Sequence, residues 1–204
     1  MMPPASPPRR MLTNAAARAA GAGRAESGRT SSFTVRSVLS DAVRATIVIP
    51  TYNEIDNIDR LLREVRAAVP SASVLVVDDG SPDGTADRAE AIGREMGDIE
   101  VLRRPAKSGL GSAYRDGFRL AIDRGAEIVV QMDADLSHPP LALPALLANV
   151  ELGADLAIGS RYVPGGLTVN WPRHRQWLSR WGNRYSAGVL GLAINDATAG
   201  FRAY

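Results

Sequence analysis

The sequence predicts an α/β fold in which a mostly parallel sheet carries helices on both faces. Three observations support this. Short β-branched apolar runs alternate with stretches of helical periodicity. Nearly every run is separated from the next by one helix length, the spacing of parallel crossovers. And three polar clusters, Pro50-Thr-Tyr-Asn-Glu54, Asp78-Asp-Gly80 and Asp133-Ala-Asp135, each follow directly on an apolar run. Ligands in open α/β sheets bind outside the carboxyl ends of the strands, so three such clusters describe one crevice.

Residues 1–44 are rich in Pro, Ala, Arg, Gly and Ser and poor in large apolar side chains. A segment of this kind buries too little to offset its ordering entropy and is expected as a disordered basic tail. Its Arg-rich, acid-poor character superficially resembles an organelle transit peptide, and Arg9, Arg10, Arg18, Arg24 and Arg29 offer weak attraction to anionic lipid. The folded domain is expected over residues 45–204. Thr46–Pro50 reads as the first strand, closed by proline. Ile55, Ile58, Leu61, Leu62, Val65 and Val69 then recur at helical spacing. Val74–Val77 is the second strand. Thr85 is the expected cap of a helix running to about Met96. Ile99–Leu102 is a third strand, Gly111–Arg124 a helix, Ile128–Met132 a fourth strand, Leu141–Leu152 a helix and Ala154–Ile158 a fifth strand.

The bulk composition excludes several classes. With 204 residues and 45% apolar content, a sizeable core is available. The absence of cysteine removes disulfide scaffolds, thiolate metal sites and thiol nucleophiles. A net charge of +2 is too small to indicate nucleic acid. No unbroken apolar run is long enough to cross a bilayer, and there is no signal-peptide core, so membrane contact is expected to be peripheral.

Chemistry concentrates at the strand ends. Asp133 and Asp135, two residues apart after a buried strand, can converge on one hard cation if the chain bends there. Mg²⁺ or Mn²⁺ would take one or two carboxylates and complete its shell with water and diphosphate oxygens. The alternative is a solvated turn or helix cap. At Asp78-Asp79, one or both carboxylates reach a ligand, or both merely cap the turn through Gly80-Ser-Pro-Asp-Gly-Thr85. Lys107-Ser-Gly-Leu-Gly111 precedes a helix and resembles a phosphate-cradling loop. It is neither a Walker A loop nor G-x-G-x-x-G, so P-loop and dinucleotide-binding readings lose their main support. Arg161, after the fifth strand, is placed to clamp a phosphate. Between Trp171 and Arg184 the charge is wholly cationic, with Arg173, His174, Arg175, Arg180 and Arg184 among Trp171, Trp177, Trp181 and Tyr185. That pattern suits a lipid phosphate at a membrane surface, or an amphipathic helix packed on the sheet. His138, before two prolines, reads as structural, and no catalytic triad is visible.

Together these motifs resemble family 2 glycosyltransferases of GT-A fold, most closely the polyprenyl- or dolichyl-phosphate mannosyltransferases. The matching segments are Ile49-Pro-Thr-Tyr-Asn-Glu54, Val77-Asp-Asp-Gly-Ser-Pro-Asp-Gly-Thr85, Lys107-Ser-Gly-Leu-Gly-Ser-Ala-Tyr114, Met132-Asp-Ala-Asp-Leu-Ser-His-Pro-Pro140, Gly159-Ser-Arg-Tyr162 and Ala199-Gly-Phe-Arg202. The resemblance implies transfer of mannose from GDP-mannose to a polyprenyl (dolichyl) phosphate with inversion, using Mg²⁺ or Mn²⁺. It implies that Pro50, Tyr52, Glu54, Val77 and Asp79 bind the nucleotide. Asp133, Ala134 and Asp135 would line the donor and metal site, with Asp135 the main ligand. Ser137 stands where some relatives place a metal-binding Gln and is a weaker candidate. Arg161 and Arg175 would hold phosphates, and Lys107 and Arg202 lie in matching segments counted with the substrate site. The implied setting is the cytoplasmic face of a membrane, reached peripherally or through an anchoring subunit. Family members usually continue past the Gly-Phe-Arg segment, so the domain reads as C-terminally truncated. The rival readings are a UDP-glucose-dependent glucosyltransferase and an inactive nucleotide-sugar-binding fragment.

Overall fold

The computed structural model describes residues 43–160, 196 and 199–204. Residues 1–42 of the expected basic tail, Arg161, Arg175 and the Trp171 to Arg184 segment lie outside the described residues, whereas Arg44, expected in that tail, is described and its carbonyl accepts the Glu127 amide at 2.8 Å. The element order is β1 (Ala45–Thr51), α1 (Ile55–Ala68), β2 (Ser73–Asp78), α2 (Thr85–Met96), β3 (Ile99–Arg103), α3 (Leu110–Asp123), β4 (Ile128–Gln131), a 3₁₀ turn (Pro140–Ala142), α4 (Leu143–Glu151), β5 (Ala157–Ile158) and β6 (Arg202–Ala203). They form a six-stranded sheet in the order β3-β2-β1-β4-β6-β5. Pairings β1–β2, β1–β4 and β2–β3 are parallel, and β6 runs antiparallel to both β4 and β5.

Strand residues alternate between two cores, which is why the runs are almost continuously apolar. Ile47, Ile49, Val74, Val76 and Val130 point toward α1, α2 and α4, whose Ile58, Leu61, Leu62, Ile92, Leu143, Leu146 and Leu147 cover that face. Val48, Leu75, Val77 and Val129 point the other way, onto Ala113, Tyr114 and Ala121 of α3. Helix α3 lies so close that a Cβ on Gly117 would sit 2.5 Å from Val48 Cγ1 and 2.9 Å from Val77 Cγ2. Only glycine permits that approach.

Beyond shifts of a residue at element ends, three features and one further strand differ from expectation. Thr85 is not a cap: it is the first residue of α2, whose N-cap is Gly84, and the side chain serving the helix start is Asp83, which accepts the Thr85 amide at 3.0 Å. The helix expected from Leu141 begins as a 3₁₀ turn, because Pro144 near the start of α4 cannot donate to a preceding turn. The fifth strand shortens to two residues, matching the length of β6, its sole partner among the described residues. Strand β6 itself was not expected. Residues 202–203 are too short for a periodic signal, and they become a strand by inserting between β4 and β5. Tyr204 extends the pairing by exchanging both backbone hydrogen bonds with Val129, at 3.0 and 3.1 Å. No helix among the described residues is long and apolar enough to cross a membrane.

Candidate functional site

The chain leaves β1 toward β2 on one side, and later places β4 on the other side of β1. Outside the carboxyl ends of these strands lies a crevice of about 310 Å³. Pro50, Thr51, Tyr52 and Glu54 form one wall. Asp79, Lys107, Gly109, Leu110 and Ala113 form a second, and Asp133, Ala134 and Asp135 the third. A larger cavity of about 560 Å³ opens at the opposite, amino ends of the strands. Its lining holds none of the clustered strand-end carboxylates, so the smaller crevice is the chemically competent one.

The wall after β1 is shaped by the turn after β2. Three successive amides, of Asn53, Glu54 and Ile55, donate to Ser81 Oγ at 3.0 Å, Thr85 Oγ1 at 2.9 Å and Asp83 Oδ2 at 3.1 Å. Each polar residue of Ser81-Pro-Asp-Gly-Thr85 thereby satisfies one otherwise orphaned donor at the α1 entrance. The arrangement suits Asn53 at φ 61°, a left-handed conformation Asn tolerates. Burial pushes the Asp83 carboxyl upward, but the Thr85 side chain, Thr85 amide and Ile55 amide outweigh it and hold its pKa below the usual value.

The paired aspartates divide the work. Asp78 is buried and caps the turn, its Oδ1 accepting from Thr51 at 3.0 Å and Ser81 Oγ at 2.6 Å, its Oδ2 accepting the Ser81 amide at 2.9 Å. Asp79 faces the crevice but its oxygens are engaged. Oδ1 pairs with the Arg104 guanidinium, and Oδ2 accepts the Ser108 and Gly109 amides at 3.1 and 3.2 Å. Arg104 continues to Ser112 Oγ at 2.6 Å and Asp116 Oδ2 at 3.1 Å. Asp79 therefore ties the Lys107–Gly111 loop to the end of β2 and sets the amino end of α3 against the crevice, where a helix dipole favours anions. Lys107 Nζ sits 3.8 Å over the Tyr52 ring, bridging two walls as a cation–π contact.

The third wall is the most open chemically. After β4 the chain bends back through Leu136 at φ 60°, and Asp135 Oδ1 accepts the Ser137 amide at 3.0 Å. Asp135 is exposed, and its second oxygen has no partner among the described residues. Asp133 is half-buried. Its Oδ1 accepts the Tyr114 hydroxyl at 2.7 Å, and its amide donates to His138 Nδ1 at 3.1 Å. Burial, then the neighbouring Asp133 charge, pushes the Tyr114 phenol far above its usual pKa, so it stays a donor. These carboxylates are hard oxygen donors. Among the described residues no three His, Cys, Asp or Glu side chains gather as a cage. The donor set thus fits Mg²⁺ or Mn²⁺ held by one or two carboxylates, with phosphate oxygens and water completing the shell.

Of the sequence-predicted residues, Pro50, Tyr52, Glu54, Asp79, Lys107, Asp133, Ala134 and Asp135 meet in the crevice. Val77 is fully buried beneath α3, away from the lining. Ser137 is exposed and off the wall, contributing its amide to Asp135. Arg202 lies on β6, its Nε donating to the Ala199 carbonyl at 2.7 Å, and is also off the wall. Sequence reasoning missed Thr51, Gly109, Leu110 and Ala113 on the walls and Arg104, Tyr114, Gly200 and Phe201 behind them. All of these but Arg104 stood within matching motifs without an assigned role, and nothing local shows that the Tyr114 hydroxyl reaches a residue 19 positions away.

The glycosyl transferase family 2 model matches residues 46–204. The undecaprenyl-phosphate mannosyltransferase of Micrococcus luteus is 51% identical over 162 residues, covering 79% of this chain and 66% of that protein. The polyprenol monophosphomannose synthase of Mycolicibacterium smegmatis is 50% identical over 162 residues, covering 79% of this chain and 61% of that protein. The chain thus spans just under two thirds of the length of these relatives. Among solved structures, glucosyl-3-phosphoglycerate synthase from Mycobacterium tuberculosis, in complex with Mn²⁺, UDP-glucose and phosphoglyceric acid, superposes with a TM-score of 0.57 at 21% identity. It covers 79% of this chain and 56% of that one. At that identity the likeness speaks for the architecture, and it agrees with the expected GT-A sheet. From the match over residues 46–204, this chain belongs to glycosyl transferase family 2.

Proposed function

We propose that this chain transfers a mannosyl group from GDP-mannose to a polyprenyl phosphate, inverting the anomeric carbon. The observation that carries the reading is a crevice with two donor carboxylates, Asp133 and Asp135, at the strand ends of a chain about half identical to two polyprenyl-phosphate mannosyltransferases. That identity favours mannose over glucose. GDP-mannose is the donor implied by the motif resemblance.

An acceptor phosphate oxygen attacks the anomeric carbon, the bond from that carbon to the diphosphate breaks, and GDP leaves with the electron pair. A phosphate monoester has a second pKa near about 6, so the nucleophile is already anionic at neutral pH. No general base is required, which suits a crevice lined by no histidine among the described residues. The protein's tasks are positioning and charge stabilisation. Tyr52 and Glu54, held by the clamp on their loop, and Asp79 form the nucleotide side. The amino end of α3 and Lys107 favour the diphosphate. A Mg²⁺ or Mn²⁺ ion held by Asp135 and Asp133 would neutralise charge on the departing diphosphate. Arg161 and Arg175, outside the described residues, are the candidates for further phosphate contacts, and the lipid acceptor places the reaction at a membrane surface, with an anchoring subunit a candidate partner.

The test is incorporation of labelled sugar into organic-extractable lipid, with GDP-mannose and UDP-glucose supplied in parallel. Labelled lipid is expected from GDP-mannose alone, lost with EDTA and restored by Mg²⁺ or Mn²⁺. Faster labelling from UDP-glucose would overturn the sugar. Binding of GDP without any turnover would identify an inactive nucleotide-sugar-binding module instead.

A further inference from the structure

We infer that Tyr114 and His138 are positioning residues that fix the Asp133 carboxylate in the single orientation it offers to the donor. The inference rests on the glycosyl-transfer reading of the crevice. Neither residue lies on the crevice wall, so both act through Asp133. Tyr114 is 7% exposed, packed against Phe118 at 5.8 Å between ring centroids, and its hydroxyl donates to Asp133 Oδ1 at 2.7 Å. His138 Nδ1 accepts the Asp133 amide at 3.1 Å, so the neutral ring carries its proton on Nε2. That nitrogen stands 3.9 Å from Asp133 Oδ2. The imidazole is itself held flat against the Phe201 ring, 5.0 Å between centroids and 8° between planes. Behind Oδ2 the chain passes at Gly200, where a Cβ would lie 2.9 Å away.

Asp133 is therefore gripped at its amide, at Oδ1 and behind Oδ2 by three separate segments. Among the described residues, its neighbour Asp135 has only the Ser137 amide. A carboxylate locked this way meets a cation or a sugar hydroxyl without reorganising first, the role usually played by groups one layer behind a metal ligand. A tyrosine that merely satisfied its hydroxyl on the nearest acceptor would contribute stability and nothing to binding.

Calorimetric titration of GDP in the presence of Mn²⁺ separates the two. Tyr114→Phe keeps the ring and removes the hydroxyl. It is expected to melt cooperatively and to bind GDP–Mn²⁺ about 10- to 100-fold more weakly. In an Asp133→Asn background the same substitution should cost little more, because the hydroxyl acts through that carboxylate. His138→Leu should weaken binding, and His138→Asn, which keeps an acceptor near the Nδ1 position, should restore most of the loss. Wild-type affinity in Tyr114→Phe, or a full additive loss in the double variant, overturns the inference while leaving the glycosyl-transfer reading intact. If the wild-type chain binds no GDP with Mn²⁺, that reading falls first and takes this one with it.

Discussion

The ends of β2 and β4 each carry a close pair of aspartates beside the same crevice, yet the pairs do different work. At β2, Asp78 and Asp79 have both oxygens engaged by Thr51, Ser81, Arg104, Ser108 and Gly109. At β4, Asp135 is exposed with one oxygen open among the described residues, and Asp133 is held from behind. One pair builds the wall and the other equips it. The difference arises from surroundings, because an acidic side chain at a strand end is available to a ligand only if the fold leaves its oxygens without donors.

The largest effect that would sharpen this contrast is on stability. Asp79 and Arg104 side chains are 6% and 10% exposed. Removing one partner of a buried pair strands the other charge, at a cost of about 3–5 kcal/mol. Asp79→Ala should therefore lower the midpoint of urea unfolding markedly, and an unchanged midpoint would mean that Asp116 suffices for Arg104. Asp135→Asn should do the reverse. Its unfolding midpoint should stay near wild type, while sugar transfer falls by about 10²–10³-fold, the usual cost of losing a charge-stabilising group. Full transfer by that variant in EDTA would break the comparison, since the β4 pair would then be as architectural as the β2 pair.

The smallest effect is a pH dependence at the β2 turn. The Asp83 carboxyl titrates below its usual value of 3.8 in the folded chain. Its contribution is therefore present above that value and is lost as pH falls through the lower folded pKa. Asp83→Asn should flatten the acid limb of the stability curve, measured by thermal midpoint between neutral pH and about pH 3. A limb as steep as wild type would assign acid sensitivity to other carboxylates.

The sheet, its helices and the crevice's location were legible because they are written locally. Apolar runs such as Ile47-Val-Ile49 and Val74-Leu-Val-Val77 are short, β-branched and bounded by turn residues, which favours buried strands over helix, and the polar clusters mark where those strands end. The choice of Asp133 and Asp135 as the open pair was legible in part, from an intervening residue and a chain able to bend. What the sequence could not determine was which oxygens remain open. That depends on Arg104 reaching Asp79 from 25 residues away and Tyr114 reaching Asp133 from 19 away. Likewise, β6 exists only because Arg202–Ala203 finds room between β4 and β5. Periodicity reports which side of an element faces the core. Only the packed chain decides which donors arrive at a given carboxylate, because those distances are set by how the helices cross the sheet.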